Sequence, residues 1–357
     1  MKSIRYILCL LFFFVAATTY VYSQSWERFF DQGKVDYELG NYEKAIKNLE
    51  IYLNYETANP KAEAKQLLEQ AKKRLAEKAD TPTNAEQVAQ TDITQLTEKP
   101  SSKVTEQPTQ ADKPHEEYFI ETALGLNMKM IYVEGGTFRM GNNKSTNLLD
   151  RPSHKVSVDS YYISTFEITQ YQWYQIMGTT IHQQSSKAGR ELILGEGDNY
   201  PMYYISHKES EDFCQKLSKI TGKLYRLPTE AEWEFAAIGG NKSKGHEFSG
   251  SNNIDTVAWY RDNSNSQTHP VGQKQANELG LHDMSGNVME WCSDWCDLYQ
   301  INDKHNPKGS PYGDYKSIRG GSWISKYWEG PAVYYRNCWE PINRGYNLGF
   351  RVVCIPD

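Results

Sequence analysis

The spacing of hydrophobic positions changes three times along the chain. Residues 6–17 form an unbroken apolar run, whereas from residue 25 to about residue 75 apolar residues recur every third or fourth position. That period is typical of amphipathic helices. Residues 80–115 contain almost no large apolar residue and cannot bury enough surface to offset their ordering entropy. The pattern predicts a helical segment over 24–79, a flexible linker over 80–115 and a main domain over 116–357.

The main domain mixes two periods. Alternation of apolar and polar residues predicts strands over Met130–Met140 and Lys155–Ile163. Helical spacing predicts helices over Thr169–Met177 and Ser210–Thr221, and Thr229 is placed to cap a third helix. Turn residues then dominate much of the remaining sequence, and this mixture indicates an α+β fold with many loops.

The start of the chain has the layout of a secretory signal. Lys2 and Arg5 precede the apolar run, and a small residue, Ser23, stands directly before Gln24. We therefore expect a signal peptide over 1–23, no transmembrane span after its cleavage, and a periplasmic, cell-surface or secreted protein. The alternative is that the run is retained as an N-terminal anchor.

The amino-acid composition and the distribution of charge bear on which kinds of molecule the protein binds. The chain has 357 residues, a net charge of −6, 39% hydrophobic residues and nine tryptophans, enough for a large core. No cluster of basic residues offers a face to phosphates, so we do not expect nucleic acid as a partner.

Cleavage of the signal would remove Cys9 and leave five cysteines. In an oxidising compartment five cysteines allow two bridges and one further thiol. A zinc site is not expected at Cys292 and Cys296, because no second pair of ligands accompanies them. The remaining cysteines are Cys214, Cys292, Cys296, Cys338 and Cys354.

The stretch Gly280–Trp291 is the one most suggestive of a binding site. It places Asp283 and Glu290 on either side of the turn dipeptide Gly286-Asn287. Such a turn can aim two carboxylates and the intervening carbonyls at one point, as a hard cation requires. The alternative is a tight turn with two solvated carboxylates.

Seven short motifs follow one another in order along the main domain. They are Gly135–Gly141, Phe166–Thr169, Arg226–Glu234, His269–Gly272, Gly280–Trp291, Gly320–Trp323 and Gly349–Arg351. In this order they resemble the sulfatase-modifying-factor family, which includes the formylglycine-generating enzymes. The resemblance implies the formylglycine-generating-enzyme variant of the C-type lectin fold. Residues 24–79 also resemble one tetratricopeptide repeat, with a plain helical cap as the alternative.

The family resemblance also implies particular site residues. Structural calcium would be held by the side chains of Asp283 and Glu290 and by the carbonyls of Gly286 and Val288. A disulfide would join Cys214 to Cys354, although Cys354 stands two residues beyond the family's position. That offset keeps the side chain on the same face of a strand and displaces it by about 7 Å.

Catalysis by the family's oxidases requires copper held by two cysteines after the Gly-Gly-Ser turn. Here Ser325 stands in the first position and residues 326–330 contain no thiol, so copper is not expected. The eight histidines are too scattered for the iron site of the related sulfoxide synthases, and Glu230, Glu232 and Glu234 are interpreted as cap and core-rim groups.

The resulting hypothesis is a non-catalytic, exported binding or scaffold component of a bacterial envelope assembly of the secretion or gliding type. Its partners would be envelope proteins or a surface ligand. The alternative is an oxidase that converts a sulfatase cysteine to formylglycine at an unrecognised site.

Overall fold

The computed structural model describes residues 30, 34, 37, 42–53, 61–79, 115–299, 304–327 and 330–356. The chain divides into two compact units, Met1–Lys113 and Pro114–Asp357. The predicted signal peptide and all but the last residue of the predicted linker lie outside the described residues. Among the residues described, no helix is both long and apolar enough to cross a bilayer.

Besides residues 30, 34 and 37, the described part of the first unit consists of two helices, α1 (Tyr42–Leu53) and α2 (Lys61–Ala79). They pack against each other through apolar faces whose residues recur at helical spacing. Helices are therefore confirmed in this segment, while its assignment as a tetratricopeptide-type repeat stays a prediction. The buried residues are Ala45, Leu49, Tyr52, Ala64, Leu68 and Ala71.

The described part of the second unit contains three small sheets. Their strands are β1 (Tyr118–Glu121), β2 (Met128–Val133), β3 (Gly136–Met140), β4 (His154–Val158), β5 (Tyr161–Ser164), β6 (Tyr225–Arg226), β7 (Met289–Trp295), β8 (Lys304–His305), β9 (Lys316–Arg319), β10 (Arg336–Trp339), β11 (Leu348–Gly349) and β12 (Val353–Cys354). The first sheet has the strand order β1-β2-β5-β12-β6, the second β10-β9-β7-β11 and the third β3-β4-β8.

Each of the two alternating stretches forms two strands in place of the predicted one. β2 pairs with β5 in the first sheet, whereas β3 pairs with β4 in the third. The chain changes sheets at Gly135, whose N–H donates to Ser160 Oγ at 2.9 Å. A Cβ on Gly135 would lie 2.7 Å from the carbonyl oxygen of Val158, so only glycine allows this close crossing.

The helices of the second unit begin where side chains cap them. Thr169, Thr180, Ser206 and Thr229 each form a capping box, which satisfies the first free N–H groups of the helix. The predicted helices at Thr169, Ser210 and Thr229 are confirmed, the second starting three residues earlier than predicted. The helices are α3 (Gln170–Met177), α4 (Ile181–Lys187), α5 (His207–Thr221), α6 (Glu230–Ala237) and α7 (Ile254–Val257).

His207 begins α5 and is buried against β7. Its Nε2 lies 3.0 Å from the carbonyl of Cys292, so Nε2 carries the proton and donates. The ring meets Trp291 edge-on at 5.5 Å. Burial, and then the positive charge of Lys316, lower the pKa of His207 to about 4. Glu211 Oε1 lies 3.7 Å from Nδ1.

We expect His207 to make the protein less stable in acid. Since the unfolded ring has a pKa near 6.5, its stabilising effect is present above that pH and is lost as pH falls towards 4, about 3 kcal/mol in all. His207→Gln keeps a side-chain donor and should remove this loss. The measurement is the urea midpoint at pH 7 and pH 4.5, with the exposed His305→Gln as the control.

Comparing wild type with His207→Gln isolates the contribution of this histidine to the pH dependence of stability. The pKa values of Asp150 and Asp294 are raised to about 7, chiefly by burial, so these groups favour the folded state as pH falls. Their contribution is common to both proteins. An equal acid-induced change in wild type and His207→Gln would contradict the prediction.

Candidate functional site

The Gly280–Trp291 stretch is held by the Gly-Gly-Ser turn, residues 320–322, of the Gly320–Trp323 motif. Gly286 N donates to Gly320 O, and Trp323 N donates to Asn287 O, both at 2.8 Å. Gly286 has φ +90°, and a Cβ there would lie 2.3 Å from the carbonyl oxygen of Trp259. A glycine is required by both the backbone angle and the space.

Glu290 and Asp283 are buried, at 0% and 2% exposure, so the alternative of two solvated carboxylates is wrong. Arg351 Nε donates to Glu290 Oε2 and Arg351 Nη2 to Glu290 Oε1, both at 2.7 Å. Trp233 Nε1 also donates to Glu290 Oε2 at 2.7 Å. Glu290 is therefore the partner of a buried arginine, which the sequence did not predict.

Asp283 has a different environment. Its backbone has φ +57°, and its Oδ2 accepts a hydrogen bond from Gly272 N at 2.7 Å. Its Oδ1 is buried and has no hydrogen-bond partner. A buried carboxylate oxygen without a donor is costly unless a proton or a cation neutralises it.

A third carboxylate, Glu167, was not predicted as part of this site. It accepts hydrogen bonds from Val288 N at 3.1 Å and Asn287 Nδ2 at 2.9 Å. Burial raises the pKa of Glu167 well above its usual value, and the charges of Asp283 and Glu290 raise it further. Its place in the Phe166–Thr169 motif was the one available signal.

These residues fit a divalent cation in part. Glu167, Asp283 and Glu290 interact electrostatically with one another and with a single guanidinium, that of Arg351, which leaves two negative charges if all are ionised. Asp283 Oδ1 suits a cation, whereas both oxygens of Glu290 already accept hydrogen bonds. No group of three acidic, histidine or cysteine side chains in the described residues has metal-site geometry.

The three acidic residues of α6, interpreted from the sequence as cap and core-rim groups, are buried and each has a defined partner. Arg336 Nε donates to Glu230 Oε1 at 2.6 Å, and Arg319 Nη1 donates to the same oxygen at 3.1 Å. Arg319 also pairs with Glu234, while Glu232 closes the capping box of its own helix. The two buried arginines keep the pKa of Glu230 below its usual value although burial raises it.

Ser325 stands where the family's oxidases have the first of their two copper-binding cysteines, and it is 3% exposed. Its Oγ accepts a hydrogen bond from Ser322 N at 3.0 Å, which ties the hydroxyl into the turn. The next cysteine along the sequence, Cys338, is bonded to Cys296. It is therefore not a thiolate that could replace a copper ligand.

The disulfide differs from the predicted one. Cys296 and Cys338 are joined, with Cα atoms 5.8 Å apart, which is one of the pairings that the sequence left open. Cys214 and Cys354 lie in one buried cluster without a bond between them. The predicted Cys214–Cys354 bridge is therefore not formed in this structure. The two-residue offset moves Cys354 by about 7 Å along its strand, which is more than the range of Cα–Cα distances that a disulfide allows.

Comparison with known proteins places most of the second unit in one family model. Residues 117–355 match the sulfatase-modifying factor enzyme 1-like domain. The chain is 32% identical over 266 residues to the chaperone protein LppX of Paenibacillus barcinonensis, covering 63% of this chain and 88% of that protein. It is 30% identical over 195 residues to the formylglycine-generating enzyme of Streptomyces coelicolor, covering 50% of this chain and 59% of the enzyme.

A solved structure extends the similarity to the fold. Treponema denticola variable protein 1 aligns with a TM-score of 0.60 and 28% identity, covering 68% of this chain and 100% of that one. Together with the family match, this similarity confirms the predicted α+β fold class.

Proposed function

The chain belongs to the sulfatase-modifying factor family, and we propose that within it this protein is a non-catalytic, exported binding component of a bacterial envelope assembly. The observation that carries the proposal is the buried Ser325 at the first copper position, with Cys338 engaged in a disulfide. A serine hydroxyl is a hard, protonated oxygen and a poor ligand for cuprous ion.

Two further observations support binding outside the cytoplasm. The relative in Paenibacillus barcinonensis is named a chaperone protein, and this chain spans 88% of it at 32% identity. Such a name favours a role in contacting other proteins. The Cys296–Cys338 disulfide favours an oxidising compartment, where such bonds persist.

Capture from the native envelope tests this function. Full-length tagged protein, crosslinked in cells and purified from membranes, should return a reproducible set of envelope proteins by mass spectrometry. A tagged, unrelated exported protein is the control for non-specific capture. Recovery of the protein in the cytoplasmic fraction with none of these proteins would contradict the proposal.

The formylglycine-generating alternative has a direct test. Because dioxygen oxidises thiols slowly without a metal that binds both, copper-loaded protein should leave a sulfatase-derived cysteine peptide unchanged. Peptide mass spectrometry is the measurement, with an active formylglycine-generating enzyme as the positive control. Aldehyde formation that disappears in Cys338→Ala would overturn the proposal in favour of an oxidase.

Calcium binding at the Gly280–Trp291 loop is proposed as a stabilising feature of the same domain. Asp283 Oδ1 and the carbonyls of Gly286 and Val288 would hold the ion. Glu290 is a weaker candidate ligand, because both of its carboxylate oxygens already accept hydrogen bonds from Arg351. At calcium a hundred times the Kd, the melting temperature should rise by about 5–10 °C relative to chelator.

The loss of that rise in Asp283→Asn would assign the calcium effect to this loop. Asp262→Asn removes the same charge from an exposed residue and should leave the rise intact. Identical melting of wild type with calcium and with chelator would contradict the site.

A further inference from the structure

A cavity of about 250 Å³ lies at the end of β7, away from the Gly-Gly-Ser turn. Its lining includes the buried side chains of Glu230, Asp294 and Arg336 and the apolar side chains of Met140 and Leu298. The segment 307–311 completes the lining, and part of that segment is exposed. The cavity therefore combines a buried polar region with apolar walls, as small-ligand sites do.

Two of the three buried charged groups are already saturated. Arg336 donates to both oxygens of Glu230, to the carbonyls of Leu149 and Asp297, and to Ser317 Oγ. Glu230 accepts from Arg336 at both oxygens and from Arg319. Neither group has capacity left for a ligand, so an anion would find no free guanidinium here.

Asp294 is the group left with a free oxygen. It is 3% exposed, and its Oδ2 accepts hydrogen bonds from Glu230 N and Ser293 Oγ, both at 3.0 Å. Among the described residues, no hydrogen bond to its Oδ1 is present and no cation forms a salt bridge with it, although the charges of Arg226 and Lys316 interact with it. Burial, and then the charge of Glu230, raise the pKa of Asp294 to about 7.

The other groups around the cavity favour a positively charged ligand. Its lining contains three carboxylates, those of Glu230, Asp294 and Asp297, against two cations, Arg336 and Lys304. His154 also lines it, and its Nδ1 lies 3.0 Å from the carbonyl of Pro152. Nδ1 therefore carries the proton, which leaves Nε2 of the neutral ring as a second acceptor.

We propose that this cavity binds a primary ammonium group on an unbranched apolar stem, with Asp294 Oδ1 as its counter-ion. The ammonium provides the donors that the unpaired carboxylate lacks, and the stem packs against Met140 and Leu298. A lysine side chain of a partner protein and a free alkylamine share this chemistry. The inference is independent of the non-catalytic role, because Ser325 does not line the cavity.

Calorimetric titration of the full chain at pH 8 tests the site with n-butylammonium chloride and with Nα-acetyl-lysine-N-methylamide. Both should bind the wild type, and Asp294→Asn should weaken binding about tenfold or more, the loss expected for a charge-assisted hydrogen bond. The exposed Asp262→Asn should not change it. Tighter binding of the lysine amide would identify a partner's lysine as the source, and equal binding would identify a free amine.

Sodium butyrate and n-butanol keep the test decisive if Asp294→Asn does not fold. On wild-type protein both should bind at least about tenfold more weakly than butylammonium, because neither supplies a cation to the carboxylate. Absence of butylammonium binding, equal binding by wild type and Asp294→Asn, or equal binding of butanol would each overturn the proposal.

Discussion

Arg351→Met should lower the free energy of unfolding by about 3–5 kcal/mol, because it leaves a buried carboxylate without its cation. Arg351 and Glu290 are both 0% exposed, and two 2.7 Å hydrogen bonds join them. Arg351 also donates to the carbonyls of Ser164 and His282, so its loss frees acceptors on two other segments. Equilibrium denaturation by guanidinium chloride measures the change.

A double variant separates the unpaired charge from the lost packing. Arg351→Met with Glu290→Gln removes both charges and should recover part of the loss, since a neutral amide costs less to bury than an unpaired carboxylate. Arg139→Met, at an exposed position, should change stability little. A single Arg351→Met variant as stable as Arg139→Met would show that the buried pair is not formed.

Loss of the Cys296–Cys338 bond should be the second large effect. The two residues are 42 positions apart, and in the chain-entropy model a loop of this length contributes about 4 kcal/mol. Cys296→Ser with Cys338→Ser should therefore melt well below the wild type in the absence of reductant.

Reductant provides the control for this prediction. It should lower the melting temperature of the wild type to near that of the double variant and leave the double variant unchanged. Peptide mapping without reduction should return the Cys296–Cys338 pair, with Cys214 as a thiol. A mapped Cys214–Cys354 bridge would restore the original prediction and contradict the structure.

The local elements could be predicted because their causes are local. Thr169 and Thr229 cap helices through backbone groups three residues away, so the pattern is contained in a few consecutive residues. Of the α6 glutamates, Glu232 follows the same local rule, because it closes the capping box with Thr229, whereas Glu230 and Glu234 are paired with arginines 85 or more residues away. Gly135 shows the limit, because only the neighbouring strand reveals why the chain leaves one sheet for another there.

The sequence predicted where in the chain the candidate site lies, but only some of the residues that form it. The sequence by itself determined the family, the α+β fold, the glycine turn at Gly286 and the missing copper thiolates, all of which are carried by contiguous motifs. Only the tertiary structure decided the partners of Glu290, the approach of Glu167 and the pairing of Cys338. Those groups lie 61, 121 and 42 residues from their partners, and no local spacing encodes which distant side chain reaches a buried charge or thiol.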